Sequence, residues 1–413
     1  MEQLFERCAG LDVHKKGLTA CVRVPDGRGG RRQQTRSFRT MTAGLLALRD
    51  WLEAEGVTLV AMESTGPYWK PVYYLLEQAF ECWLLNAHHL RNVPGRKTDV
   101  KDAEWICQLV EHGLVRPSFV PPLPIRELRN LTRYRKSVIE ERTREAQRLE
   151  KLLEDAGIKL SSVASDILGA SGRAMLRALV QGSRDPEALA DLAKGTLRRK
   201  IPALREALAG RFQHHHAILV AEMLSRIEAA EETIERLSVE IEQVIAPFAE
   251  QLALLQTIPG VKRRVAEVIV AETGADMSRF SSAAHLASWA GMCPGNDESA
   301  GKRRSGRTRP GSKWLRTALV EGAHAVAKGK PSYLASQYWR IAGRRGKPKA
   351  AVAVAHSILV IAYHVLARRQ PYAELGADYL LQRESAQAHV RRLVRQLERL
   401  GNTVTLEPKE VAA

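Results

Sequence analysis

Four acidic residues constrain this chain most: Asp12, Glu63, Asp99 and Asp102. Asp12 lies inside the apolar run Ala9-Gly10-Leu11-Asp12-Val13, and Glu63 ends another, Val57-Thr58-Leu59-Val60-Ala61-Met62-Glu63. A carboxylate at the end of a buried strand is costly unless it is paired or holds a cation. Asp99 and Asp102 stand three residues apart in Lys97-Thr98-Asp99-Val100-Lys101-Asp102, so on a helix they share one face. Carboxylates converging from separate elements suggest a magnesium site, because hard divalent cations take oxygen ligands. Two such ions, roughly 4 Å apart, suit phosphodiester chemistry. Taken singly, Asp99 also reads as a helix cap interacting with the dipole, and Asp102 as a solvated charge. Asp12 at a strand position is harder to explain in that way.

The segments around these residues predict an order of elements. Strands cover about Cys8 to Val13 and Leu18 to Val24, with the turn signal Pro25-Asp26-Gly27 after the second. A polar third strand, about Gln33 to Arg39, completes a meander. A helix over Thr42–Ala54, a strand over Val57–Met62, a helix over Tyr68–Phe80, a strand over Cys82–Leu85 and a helix from near Asp99 to about Leu114 follow. This is the order of the ribonuclease H fold. There the first and fourth strands are parallel neighbours, so Asp12 and Glu63 would sit side by side at the sheet rim.

Pro117, Pro121, Pro122 and Pro124 mark a linker into a helical region. Ile125 to Ala156 carries Leu128, Leu131, Val138, Leu149 and Leu152 at helical spacing. In a second helix Val220, Met223, Ile227, Ala230, Ile234, Leu237, Ile241 and Val244 alternate steps of three and four. That is a coiled-coil seam, and β-branched residues at every second position favour two strands. Its partner, the first helix or another subunit, is not encoded. Between them, residues 161–216 read as short broken helices. His214-His215-His216 reads as a solvated polar face rather than a metal site, since adjacent residues on a helix do not face one another.

The C-terminal part begins near Leu254. Ile258-Pro259-Gly260-Val261, followed by a helix, resembles a helix-hairpin-helix, whose Gly turn offers backbone N–H groups to a DNA phosphate. An ordinary helix-turn-helix corner fits equally. Gly295 to Arg307 reads as a polar loop in which a serine among arginines and lysines has surroundings suited to attack on a phosphate. A flexible phosphate-contacting loop is the alternative, and spacing does not choose among Ser299, Ser305 and Ser312. Expected nucleic-acid contacts are Gly260, Lys262, Lys302, Arg303, Arg304, Arg307, Arg309 and Lys313.

Composition agrees with a polyanionic partner. The 413 residues carry a formal net charge of +17, which favours nucleic acid. From Asn296 to Lys349 fourteen Lys and Arg face only Asp297, Glu298 and Glu321. The five cysteines show no zinc-finger spacing and read as free thiols in a reducing cytoplasm. The N-terminus does not read as a signal peptide. The most apolar stretch, Ala351 to Ala367, is interrupted by His356 and His364 and reads as a buried helix, so no membrane is expected.

Read together, these segments resemble the DEDD-type insertion-sequence transposases, the family that includes the pilin-gene invertases and the bridge-RNA-guided recombinases. The matching residues are Gly10-Leu11-Asp12-Val13-His14-Lys15, Met62-Glu63-Ser64-Thr65-Gly66, Lys97-Thr98-Asp99-Val100-Lys101-Asp102-Ala103, Ile258-Pro259-Gly260-Val261, the Trp289-Ala290-Gly291 to Glu298-Ser299 stretch, and Gly311-Ser312-Lys313-Trp314-Leu315-Arg316. A departure is Cys293-Pro294-Gly295-Asn296, where many relatives have Thr-Pro and then a basic residue.

The resemblance implies an α/β plus α molecule. Residues 1–117 would be an RNase H-like, Holliday-junction-resolvase-like domain in which Asp12, Glu63, Asp99 and Asp102 bind Mg2+, with Mn2+ able to substitute. Residues 118–250 would be a linker and helical coiled coil. Residues 251–375 would be a mostly helical transposase domain with the helix-hairpin-helix and the nucleophile Ser299, and 376–413 a helical tail. Ser299 would form a covalent phosphoserine link to DNA, in a composite site. The implied partners are donor and target double-stranded DNA, a non-coding guide RNA from the element, and further copies of the chain as a dimer or tetramer, in a prokaryotic cytoplasm at the nucleoid. A metal-dependent nuclease or junction resolvase using water, an invertase without RNA, and a non-enzymatic nucleic-acid-binding protein are the rival readings.

Overall fold

Apolar residues at alternating positions near the N-terminus build a five-stranded sheet. Its strands are β1 (Cys8–Val13), β2 (Gly17–Pro25), β3 (Arg31–Arg39), β4 (Leu59–Glu63) and β5 (Glu81–Leu85). The order across the sheet is β3-β2-β1-β4-β5; the meander pairs antiparallel, whereas β1–β4 and β4–β5 are parallel. The computed structural model describes residues 3–64, 66–87, 90, 102–294, 297–299, 302–305, 308–382 and 386–406, with backbone alone at 297–299, 302–305, 381, 382, 386–389 and 392. It forms two units, Met1–Val120 and Pro121–Ala413.

In the first unit the period of two along each strand sorts the side chains onto two faces. Ala9, Leu11 and Val13 of β1 and Val60 and Met62 of β4 join Leu45, Leu48 and Leu52 of α1 (Thr42–Ala54) and Val72 and Leu76 of α2 (Trp69–Leu76). Cys8 of β1 and Leu59 and Ala61 of β4 join Ala103, Ile106 and Cys107 of α3 (Asp102–Glu111) on the other face. α2 is shorter than the expected Tyr68–Phe80 because residues 77–80 turn back, with Phe80 N donating to Leu76 O at 3.0 Å. The three thiols under α3 are free; Cys8 Sγ lies 3.7 Å from Cys107 Sγ. The Cys107 thiol is pushed well above its ordinary value by its thiol neighbours Cys21 and Cys8 and by burial.

In the second unit, α4 (Leu123–Asp155), α5 (Ala170–Val180), α6 (Ile201–Leu208) and α7 (His214–Ile245) form one assembly. α4 and α7 run antiparallel: Arg135 meets Ser238, Arg142 meets Glu231 and Asp155 meets His216. The partner of the seam is therefore the first helix of the same chain. Val220, Ile227 and Ile241 are buried, whereas Ala230, Ile234 and Leu237 are half-buried. The short helices of 160–208 close over one end of this hairpin, where Leu176, Leu179, Leu204 and Leu208 pack with Leu149, Leu153, Val220 and Leu224.

His216 corrects the reading of the histidine run. It is 4% exposed, its Nδ1 accepts from Gln213 N at 3.0 Å, and its Nε2 donates to Asp155 Oδ2 at 3.2 Å. A buried helix start needs its N–H groups satisfied, and this ring does that. His214 and His215 are exposed.

The remaining described elements are α8 (Ala249–Gln256), α9 (Arg263–Thr273), α10 (Ala283–Trp289), the hairpin β6 (Asp297–Ser299) and β7 (Lys302–Ser305), then α11 (Lys313–Lys328), α12 (Tyr333–Arg345), α13 (Lys347–Arg368), a short helix Tyr379–Gln382, and α14 (Ala386–Arg399). α13 is long and apolar enough to cross a membrane, but half of its apolar window is buried inside the protein. Its Ala350, Ala351, Val354, Ala355, Ile358 and Leu359 are core residues. Within the stretch read as a polar loop, 297–299 and 302–305 are strands. β6 and β7 pair antiparallel, Ser299 opposite Lys302, and Pro294 bridges Thr308 below them.

Candidate functional site

The carboxylates of the first unit are placed by the sheet. Leu11 is paired with Met62 in the parallel β1–β4 ladder, so the next step along both strands sets Asp12 beside Glu63. Asp12 follows Cys8 and Gly10 on the face covered by α3, and Glu63 follows Leu59 and Ala61 on that same face. Gly10 explains how α3 comes so close. A Cβ there would collide with the Ala103 carbonyl and the backbone of Cys107. The helix therefore rests on bare backbone, with Asp102 in its first turn. α3 is anchored at its other end by Glu111, fully buried, which accepts from Arg23 Nε at 2.7 Å and pairs with Arg31 Nε at 2.6 Å.

Asp12, Glu63 and Asp102 are each half-buried. That is the exposure expected of carboxylates at a rim that is neither sealed nor fully solvated. Asp99, the fourth sequence candidate, lies outside the described residues. The three oxygen donors do not close into one tight cluster; among the described residues the group of three His, Cys, Asp or Glu with all ligand atoms within 4.8 Å is Asp155, His215 and His216. That group is no better a metal site, because His216 Nδ1 accepts a backbone N–H and its Nε2 must keep the proton. The all-oxygen rim set is the donor type that a hard cation such as Mg2+ takes.

His14 is a neighbour of Asp12 that reading the residues singly did not assign. Its Nε2 donates to Asp12 Oδ2 at 3.0 Å, with the ring itself largely exposed. The i, i+2 spacing from Asp12 along an extended chain was the available signal, since it sets both on one side.

In the second unit the sequence candidates fall into two groups. Ser299 of β6 pairs with Lys302 of β7, with Arg303 and Arg304 next along β7. Arg307 lies outside the described residues. The hairpin root is held by Arg316, whose guanidinium donates to Gly291 O at 2.7 Å and to Thr308 Oγ1. Arg309 and Lys313 are exposed beside it, with Lys313 Nζ 4.5 Å from the Trp314 ring centre. Ser312 is committed elsewhere: its Oγ accepts from Leu315 N at 3.2 Å, capping α11, and donates to Glu272 Oε2 at 2.9 Å.

Gly260 and Lys262 form the corner between α8 and α9. Gly260 has φ +81, and a Cβ there would strike the Gly322 carbonyl and Val326 of α11. Only glycine meets both demands. Lys262 is exposed at the N-cap position of α9. α9 is fixed to α4 by ion pairs, the buried Arg135 with Glu267, and the half-buried Arg133 Nε and Nη2 to Glu272 at 2.7 and 2.8 Å.

Comparison with known proteins places both units. Residues 9–158 match a family model for the DEDD transposases of IS110, described as a transposase. Residues 252–340 match a second model, the transposases of the IS116/IS110/IS902 family. The pilin gene-inverting proteins of Moraxella bovis and Moraxella lacunata are each 32% identical over 125 residues, covering 29% of this chain and 38% of theirs. The match thus spans well under half the length of those relatives. A putative transposase, y4pF/y4sB, of Sinorhizobium fredii (strain NBRC 101917 / NGR234) is 25% identical over 328 residues, 77% of this chain and 75% of its own. With two models of one family matched in order along it, the chain belongs to the IS110 family of transposases.

Proposed function

We propose that the protein is a DNA recombinase that moves or inverts a segment by cutting and rejoining strands through a covalent phosphoserine intermediate. The observation that carries this reading is the shared placement of Asp12 and Glu63 on one sheet face under the helix that starts at Asp102. The first unit is then an RNase H-like domain. Its Asp12, Glu63 and Asp102, with Asp99, would hold Mg2+, which Mn2+ can replace. When bound, the ion neutralises charge on the scissile phosphate. His14 keeps Asp12 oriented.

Ser299, on the hairpin of the mostly helical transposase domain, is the nucleophile. Its Oγ attacks phosphorus, the bond from phosphorus to a deoxyribose oxygen breaks, and the serine proton leaves to a general base while the departing oxygen is protonated. Attack by the hydroxyl of the receiving strand on the phosphoserine reverses the step and frees Ser299. The basic residues of the hairpin and of the α8–α9 corner, read as a helix-hairpin-helix, grip donor and target phosphates. Base choice is delegated to an element-encoded guide RNA, as in other guided enzymes. The protein works as a dimer or tetramer on DNA in the cytoplasm. The domain division of 1–117, 118–250, 251–375 and 376–413 is part of this proposal.

The relatives carry the names of an inverting protein and a putative transposase. Inversion and insertion share this chemistry and differ in how the DNA ends are arranged. The test is a recombination assay on supercoiled DNA with Ser299→Ala. Loss of recombination and of the protein–DNA adduct is expected. Recombination at the normal rate refutes the serine step, and cutting without adduct favours a nuclease that uses water. RNA co-purified with the protein should map beside its own gene; bulk host RNA alone argues against guidance.

A further inference from the structure

Within the second unit, α4, α9 and α11 enclose a cavity of about 180 Å³. Its apolar wall is Ile139, Val265, Val268, Ala318 and the half-buried Trp314. The cations that line it are mostly committed. Arg133 is bound in two places to Glu272, Arg135 to Glu267, and Lys136 Nζ to Glu321 Oε1 at 2.7 Å. Arg264 is exposed at its edge.

This combination fits a flat, mostly apolar group with a polar edge, attached to an anion. The neutralised ion pairs make the interior a poor trap for a bare phosphate. The indole offers a stacking face, and such faces bind any base because every base has a π-surface. The carboxylate of Glu321 and the ammonium of Lys136 provide an acceptor and a donor for a base edge. Arg264, which has no partner among the described residues, can meet the phosphate of the same nucleotide. Trp314 lies two residues after the serine that caps α11, and Arg316 of the same turn holds the root of the β6–β7 hairpin. The cavity therefore belongs to the helix that carries that hairpin.

We propose that this cavity receives a single unpaired nucleobase of the bound nucleic acid, stacked on Trp314 with its phosphate at Arg264. The proposal rests on the DNA-acting reading above, and extrusion of one base would fix the register of the strand.

The test uses the full chain and fluorescence anisotropy on a duplex bearing one bulged adenine, against the same duplex with an abasic bulge. The wild-type chain is expected to prefer the base by roughly tenfold. Trp314→Phe should keep the preference, and Trp314→Leu should abolish it with the thermal midpoint unchanged. Ala318→Phe, which fills the cavity from a different position, should abolish it too, with affinity for the abasic duplex retained in each case. Equal affinity of the wild-type chain for the two bulges overturns the proposal, as does a preference that survives both Trp314→Leu and Ala318→Phe. The same pair of bulges in an RNA duplex distinguishes the source: a preference confined to RNA assigns the base to an RNA strand. Absence of any duplex binding would instead refute the DNA-acting reading.

Discussion

Asp12 shows how a single residue can be legible in sequence while its setting is not. An acid inside an apolar strand demands an explanation at once, and the period of two predicts which way it points. What the sequence does not display is the partner at i+2, because His14 has many roles and only the 3.0 Å approach to Asp12 selects one. If the proposed function holds, Asp12→Asn should lower strand transfer by roughly a hundredfold or more, since a charged metal ligand would be replaced by a neutral one. On the same proposal His14→Ala should act more mildly, weakening Mn2+ affinity by about tenfold in a titration, as loss of a group that orients a metal ligand does. Glu111→Gln leaves Arg23 and Arg31 facing a lost charge at a buried position and should destabilise the first unit by about 3–5 kcal/mol in urea denaturation. His356 gives a pH dependence. Desolvation on α13 lowers its folded pKa, so the unfolded chain binds the proton more readily. The stability this contributes is complete above the unfolded value of about 6.5 and is lost as pH falls through the folded one. The acid-induced drop in thermal midpoint should shrink in His356→Gln.

Among the elements, the strands and helices of the first unit were readable nearly to their ends, since each has its own period and a turn signal after it. α1 begins and ends where the pattern of Leu45, Leu48, Trp51 and Leu52 predicts. The α4–α7 hairpin was readable as two amphipathic helices but not as a pair. A heptad seam specifies an apolar stripe without naming the chain that covers it. The pairing of Arg135 with Ser238 and Arg142 with Glu231 decides it. Leu149→Ala, at a fully buried position facing α7 and the short helices, should cost about 2–5 kcal/mol by chemical denaturation. β6 and β7 escaped notice because Asp, Glu, Lys and Arg carry no strand period. Their ladder is made by backbone groups, which composition does not reveal.

For the whole molecule, charge is the property that needs no tertiary structure. A net +17 favours a polyanionic partner, and the DNA binding proposed above should weaken steeply with salt, as each neutralised phosphate releases counterions. Affinity should fall by roughly a hundredfold or more between low and physiological salt; an unchanged affinity contradicts this. The sequence by itself determined which residues are acidic within apolar runs, which stretches are helical or extended, and where basic charge accumulates, because local periodicity and composition carry that information. The tertiary structure alone decided that α3 could settle onto Gly10, that α7 turns back on α4, and that Ser312 and His216 are engaged as helix caps. Those outcomes depend on close approach between segments far apart along the chain. Such approach is set by the volume at one backbone position or by one hydrogen bond, and neither leaves a periodic trace.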